Sequence, residues 1–402
     1  MDTTEHKEPL FNKNYCYLCL ANFMYFFSFY LLLPLLPFYL SENFTTDKGI
    51  IGIIISTYTV ATLFIRPFSG YIMDTFSRKP VYILAFSIFT AVFAGYIVSA
   101  TLTALIVVRV LHGFSFGLTS VSSNTLVIDV VPSSRRGEGI GYFGVSTNLA
   151  MAIGPMVGLL LHGQVSYWMI FLICLLCSLT GVLFALQIEI RFRPPLRRPP
   201  LSFDRFILKK GLPGGLAYIL IAFPYGQISN YVAMYADNMS LGVGGGIFFI
   251  IYAIGLICSR LYSGKMVDRD KIPETVILGI VILVVSIGLL GLCQYFNPAV
   301  PELKDALFLL IALLCGAGYG TIFPAFNSLF INLASHNQRG TATSTYLTAW
   351  DLGLGLGIVL GGTMAEMKSF SFGYLVSDAV VLAGLLYFCT IVVPHYRRNR
   401  VE

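Results

Sequence analysis

Apolar runs of about 20 residues recur along the whole chain, and each is long enough to cross roughly 30 Å of hydrocarbon. A soluble core does not need runs of that length, one after another. Composition agrees with a lipid solvent: of 402 residues, 56% are hydrophobic and 11% are charged, where a soluble domain carries roughly 25% charged residues. Mean hydropathy is +0.78. The pattern places helices at about 15–40, 48–72, 80–99, 103–128, 138–161, 166–188, 211–236, 243–266, 274–296, 305–331, 341–365 and 370–393. The expected fold class is therefore an all-α integral membrane protein with twelve transmembrane helices. Residues 1–14 are polar, and no signal-peptide cleavage pattern follows, so the first run is expected to stay as a span.

Charge placement sets the orientation. Net charge is +6, from 26 Lys and Arg against 20 Asp and Glu. With the N-terminus in the cytoplasm, the outer loops hold only Lys48, Lys304 and Lys368. Arg109 falls inside a span, and the other basic residues are assigned to cytoplasmic segments or cytoplasmic helix ends. Positive charge favours the cytoplasmic side, so both termini are expected there, in a cell membrane. The segment 189–210 holds Arg191, Arg193, Arg197, Arg198, Arg205, Lys209 and Lys210 together with Pro194, Pro195, Pro199 and Pro200. It reads as a cytoplasmic linker between a six-helix half at 15–188 and another at 211–393, with a basic tail at 394–402. Anionic lipid headgroups attract such a segment, and nucleic acid is not expected as a partner. Cys16/Cys19 and Cys174/Cys177 have CxxC spacing, but their flanks are apolar and supply no second ligand pair. They read as packing residues, and neither metal nor cofactor is expected.

The chain also repeats itself. Arg66, Gly70 and Asp74 align with Arg260, Gly264 and Asp268 at an offset of 194 residues. Further on the offset is 203, which maps Gly113 to Gly316, Gly117 to Gly320, Asn124 to Asn327, Arg136 to Arg339, Asn148 to Asp351, Gly154 to Gly357 and Gly158 to Gly361. The longer outer loop near Asn297–Asp305 accounts for the difference. A period near 200 is that of a duplicated six-helix unit, the halves related by an axis along the membrane normal.

Three motifs then resemble the major facilitator superfamily over essentially the whole chain. They are Gly70-x-x-x-Asp74-x-x-x-Arg78-Lys79 after the second span, Arg109-x-x-x-Gly113-x-x-x-Gly117 in the fourth, and Gly154-Pro155-x-x-Gly158 in the fifth. The last is similar to the antiporter motif of the twelve-helix drug/proton exporters. The resemblance implies two pseudo-symmetric halves and transport by alternating access. Small residues four apart also let helices approach closely, and Pro155 removes a backbone donor. Packing without a transport role is the other reading of Gly154, Pro155 and Gly158.

In that fold Asp74 is expected at the start of span eleven, near Gly340, where free N–H groups favour an anion. Arg78 is expected to pair with Asp129, joined by Arg136. Gly264, Asp268 and Arg339 repeat the arrangement, which makes a cytoplasmic gate of Gly70, Asp74, Arg78, Asp129, Arg136, Gly264, Asp268 and Arg339. A solvated charge cluster is the alternative.

A charge at membrane depth costs at least roughly 2.5–3.5 kcal/mol and needs a partner or a wet cavity. Arg109 is expected about 9 Å into span four and Asp351 about 15 Å into span eleven. Asp351 is the candidate proton carrier, against an Asp held permanently neutral by a neighbouring helix. Arg109 is a candidate to grip an anionic group, or a hydrogen-bond hub. His112 is a second titratable candidate, though a lone helical His is more often a bonded core residue. The cavity candidates are Arg109, Asn22, Tyr25, Asn148, Tyr225, Gln227, Asn327 and Trp350. Relatives that export cations often carry an acid in span one, and here Asn22 stands among apolar residues. A neutral, zwitterionic or anionic substrate is at least as compatible. The expected function is proton-coupled efflux of a small organic molecule by a monomer. Uptake of an anionic or neutral nutrient is the runner-up, and a non-transporting sensor the alternative class. HExxH and a GxxxxGK[ST] loop are absent from the sequence, and the GxSxG spacing at Gly113–Gly117 falls inside an apolar span, so neither an enzyme nor an ATP-driven pump is expected.

Overall fold

The computed structural model describes residues 10–44, 47–132, 136–189, 207–297, 300–334 and 339–401. The linker residues 190–206, and the Gly70, Asp74, Arg136, Asp268 and Arg339 positions beyond their helical backbone, lie outside the described residues, and so do those parts of the expected gate. Eleven helices among the described residues are long and apolar enough to cross a membrane. In chain order the spans are α1 (Lys13–Phe44), α2 (Lys48–Thr75), α3 (Arg78–Val98), α4 (Leu102–Val130), α5 (Arg136–Leu161) and α6 (Tyr167–Leu186). The second set is α7 (Leu212–Asn238), α8 (Gly245–Asp268), α9 (Ile272–Leu292), α10 (Pro301–Asn332), α11 (Arg339–Met367) and α12 (Phe370–Asn399).

The remaining helix, α7, has 27 residues. It is enclosed by α11 and α12, so protein rather than lipid meets most of its surface. That lets it carry Gln227, Ser229 and Asn230, all buried, at the expense of hydropathy. Polar side chains start several spans. Asn12 accepts from the Tyr15 N–H, Thr101 from that of Ala104, Ser166 from that of Met169 and Ser369 from that of Phe372. Each cap satisfies an orphan donor and contributes about 1 kcal/mol. The basic C-terminal segment is structured to residue 399. Helix α12 passes through a π-helical turn at Phe388–Val392 and continues as helix to Asn399. There the Arg400 Nη1 meets Asp270 Oδ2 at 2.6 Å.

Packing follows the duplication. In the first half α1 lies on α5 and α6, α2 on α4, and α3 on α4 and α6. In the second half α7 lies on α11 and α12, α8 on α10, and α9 on α10 and α12. The halves join through α2 with α11 and α5 with α8, which are equivalent pairs. Glycines set how closely the helices approach. A Cβ on Gly154 would sit 2.8 Å from Tyr30 Cβ, and one on Gly158 would collide with the Leu31 carbonyl, so α5 meets the backbone of α1 there.

Alternating helices bring both termini to one face of the bundle, here the termini face. At the opposite, far face the halves are held together. A Cβ on Gly52 of α2 would lie 2.8 Å from the Ile358 carbonyl of α11, and one on Gly355 would lie 2.8 Å from Thr59 Cγ2. Gly246 of α8 faces Leu159 of α5, with 3.5 Å between the Cβ positions. The far face is closed in this conformation.

Candidate functional site

A charge pair sits where the two halves meet. Gly52, Thr59 and Arg66 recur every seven residues on α2, a spacing that keeps them on one helix face. That face looks at α11. On α11, Gly353, Gly357 and Gly361 pack against α7, at the Ile219 and Phe223 carbonyls and the Gln227 side chain. Gly355 points to α2 instead, and Asp351, four residues earlier, shares its side of the helix. The result is an approach of Arg66 Nη2 to Asp351 Oδ2 of 2.6 Å. The side chains are only 4% and 13% exposed, so little of the pair meets solvent.

The contact is single rather than a bidentate fork. Asp351 Oδ2 finds no aligned hydrogen-bond donor, and Arg66 Nε and Nη1 are buried without acceptors. Arg66 was expected at a helix end on the cytoplasmic side. That assignment is corrected: α2 runs on to Thr75, which places Arg66 about 13 Å from that end. Asp351 lies about 18 Å along α11.

Arg109 is elsewhere. It is 1% exposed, inside the first half. One guanidinium nitrogen donates to the Ile55 carbonyl, another donates to Tyr96 Oη at 3.3 Å, and the group lies 4.5 Å from the Tyr58 ring centre. Tyr96 Oη in turn meets His112 Nδ1 at 3.0 Å. The His112 ring is fully buried, edge-on to Phe29, Phe89 and Phe93, and its Nε2 has no partner. Among the two sequence readings of Arg109, this geometry is that of a hub joining α2, α3 and α4.

The other cavity candidates divide similarly. Asn22 donates to Ser146 Oγ and Thr147 Oγ1, both at 2.8 Å, and fastens α1 to α5. Tyr25 donates to the Phe116 carbonyl at 2.7 Å. Gln227 donates to Ser377 Oγ at 2.7 Å, tying α7 to α12. These three are internal ties within a half, each with no more than 2% exposure, and do not line a cavity in this conformation. Asn148 and Asn327 are half-buried, and Asn327 Oδ1 has no partner. Tyr225 and Trp350 belong to an aromatic wall in the second half. Their ring centres are 4.8 Å apart, Phe323 is 4.7 Å from Trp350, and Tyr218 stacks on Tyr346 at 4.9 Å. An apolar cleft of about 400 Å³ between α7, α11 and α12 holds none of the candidates.

At the termini face, Arg78 Nη1 donates to both Asp129 oxygens, at 2.9 and 2.8 Å. Gly264 has open space around it. Two cations escaped the sequence reading as site residues, Arg66 and its repeat mate Arg260. Their alignment marks the duplication but carries no information on depth.

Comparison with known proteins places this geometry in a wider group. A family model described as Major Facilitator Superfamily matches residues 18–358 and 270–401. Among curated proteins, the staphylopine export protein of Staphylococcus aureus is 23% identical over 351 residues, covering 84% of this chain and 86% of that protein. The quinolone resistance protein NorA of the same species is 24% identical over 395 residues, covering 93% and 95%. Among solved structures, the nucleoside transporter NupG superposes with a TM-score of 0.76 at 16% identity, over 94% of this chain and 99% of that one. The human organic anion transporter MFSD10 gives 0.72 at 18% identity, over 93% and 98%.

Proposed function

The chain belongs to the Major Facilitator Superfamily, a multi-pass membrane transporter and not an enzyme, and from that premise we propose that it exports a small organic molecule in exchange for protons. Export is supported by the relatives named for staphylopine export and quinolone resistance. The termini face is the cytoplasmic one in this reading, as the Lys and Arg placement requires, and the conformation described is closed to the outside.

One observation carries the coupling: the Arg66–Asp351 pair spans the two halves at membrane depth. Alternating access needs the contact between α2 and α11 to loosen when the far face opens. Parting the pair would strand a carboxylate in a low-dielectric site, and such a carboxylate is more stable with a proton. A proton taken from outside therefore favours opening, and its release inside restores the pair. Asp351 is the carrier and Arg66 the partner that times it. Arg109 and His112 hold the first half rigid while this happens, and the Arg78–Asp129 pair braces the cytoplasmic ends of α3 and α4.

The test is transport in proteoliposomes with an imposed pH gradient. Asp351→Asn mimics the protonated form. It should abolish gradient-driven accumulation of a substrate while leaving equilibrium exchange of that substrate measurable. A variant that still concentrates substrate as well as the parent would move the carrier elsewhere, with His112 first in line.

A further inference from the structure

The duplication is broken at one place that matters for charge. Arg66 and Arg260 are equivalent, on α2 and α8, and Asp351 and Asn148 are equivalent, on α11 and α5. The helix pairs are equivalent too, since α2 lies on α11 and α8 on α5. Gly246 and Arg260 stand fourteen residues apart on α8, as Gly52 and Arg66 do on α2. That spacing keeps both on one face, and Gly246 shows that the face looks at α5. One interface thus holds a cation and its acid. The other holds a cation opposite a position where the acid is replaced by a neutral amide.

Arg260 has no carboxylate within ion-pair distance among the described residues. Its guanidinium carbon is 5.8 Å from the Phe323 ring centre, and its Nε is buried without an acceptor. It lies about 12 Å from the end of α8. A guanidinium does not shed its charge by losing a proton, and at that depth it needs a partner or a wet cavity. The aromatic wall is its neighbour: Phe323 packs on Trp350 at 4.7 Å and on Tyr319 at 5.9 Å. Phe323 and Trp350 are half-buried and meet edge to face, an apolar patch that ends at a cation.

We propose that Arg260 is the anion-binding group of the transport site, and that the substrate class is a flat, largely apolar organic carboxylate. The inference rests on the transporter reading above and adds its ligand chemistry. The bound carboxylate faces Arg260 as Asp351 faces Arg66, and the rings of Phe323, Trp350 and Tyr225 take the apolar body. Loading then neutralises the second interface in the way the protein neutralises the first.

The experiment uses purified full-length protein in detergent at one pH, with no gradient, and a matched pair of probes. 2-Naphthoate should raise the Tm of the parent in a concentration-dependent way, and 2-naphthamide should not. Arg260→Gln should bind naphthoate at least tenfold more weakly, yet melt no lower than the parent when empty, because it removes a half-buried cation with no carboxylate partner among the described residues. Asn148→Asp supplies the missing acid. It should raise the Tm of the empty protein and abolish the naphthoate response, and it should gain nothing when combined with Arg260→Gln. Equal responses to acid and amide overturn the proposal. So does an Arg260→Gln protein that responds like the parent. Absence of a naphthoate response in a parent whose Asn148→Asp variant is no more stable does the same. Asp351 is untouched and no gradient is imposed, so failure here leaves the proton-coupling reading standing, and failure of coupling leaves a naphthoate result standing.

Discussion

Replacing Asp351 with Asn keeps the volume of the side chain and removes its charge, which isolates what the Arg66–Asp351 pair contributes. At 2.6 Å and an effective dielectric of about 20, the gross Coulomb attraction is about 6 kcal/mol. Desolvation of both groups offsets most of it, so the net value of the intact pair is far smaller. Breaking a buried pair is different, because a charge is left behind. Asp351→Asn strands Arg66, which is 5% exposed, and should cost about 3–5 kcal/mol. Arg66→Gln strands an acid that can take a proton, and should cost less, about 1–3 kcal/mol. The double variant carries no charge and lets two amides hydrogen-bond, so it should recover most of the loss. With a double variant that costs about 1 kcal/mol, a coupling term of about 3–7 kcal/mol follows from these values. Thermal melting of the four proteins in one detergent at pH 7.5 measures it as differences of several degrees. If Asp351→Asn melts with the parent, or if the double variant is no better than Asp351→Asn, the pair is not an energetic link between the halves and the coupling argument loses its basis.

Two further outcomes follow from the same geometry. Gly355→Val places a branched side chain against Thr59, where a Cβ alone is already 2.8 Å from Cγ2, and should wedge α11 off α2. A Cβ on Gly49 of α2 would lie 3.7 Å from Thr363 Cα of α11; in a background freed of the eight native cysteines, disulfide formation between cysteines at these two positions should then fall severalfold, and an unchanged yield would show that the glycine does not set closure. Single cysteines placed near Arg198 and Arg398 should react with an impermeant thiol reagent only from the cytoplasmic side; labelling of either in intact cells reverses the orientation.

The spans and the duplication were legible because they depend on run length and on residue identity at fixed offsets. Depth and facing were not. In water an amphipathic helix shows its buried face by contrast, but lipid is as apolar as the protein core, so a cavity face and a packing face look alike. Asn22, Tyr25 and Gln227 illustrate this. Each is polar on the first helix of a half, as a cavity residue would be, and each donates a hydrogen bond to a neighbouring helix of the same half. Arg66 shows the complementary error. Read as a landmark beside the Gly70-to-Asp74 motif, it looked terminal, and only the continuation of α2 to Thr75 places it at depth. Arg78 and Asp129 could be paired from sequence because both lie where one helix begins and another ends.

Duplicated packing and unduplicated charge do different work. Glycines recur in both halves because each half must let its helices approach closely, as at Gly113 and Gly316, whose added Cβ would meet the Tyr58 and Tyr252 carbonyls. Those carbonyls are themselves equivalent at the offset of 194. The charges are not repeated, since Asp351 answers Arg66 and Asn148 does not answer Arg260. If both interfaces carried an acid, both would be neutral without cargo, and nothing would make closure depend on what is bound. If neither did, two buried cations would oppose the closed state. With one acid between the two interfaces, the α2–α11 interface is internally neutral, and Arg260 at α8 has no carboxylate partner among the described residues, which is the place the proposal gives to an external anion. In the proposed cycle the proton acts on the first and the cargo on the second. Because the same halves form both, protonation at Asp351 and anion binding at Arg260 would then bias one conformational equilibrium from two sites, which is what exchange of one for the other requires.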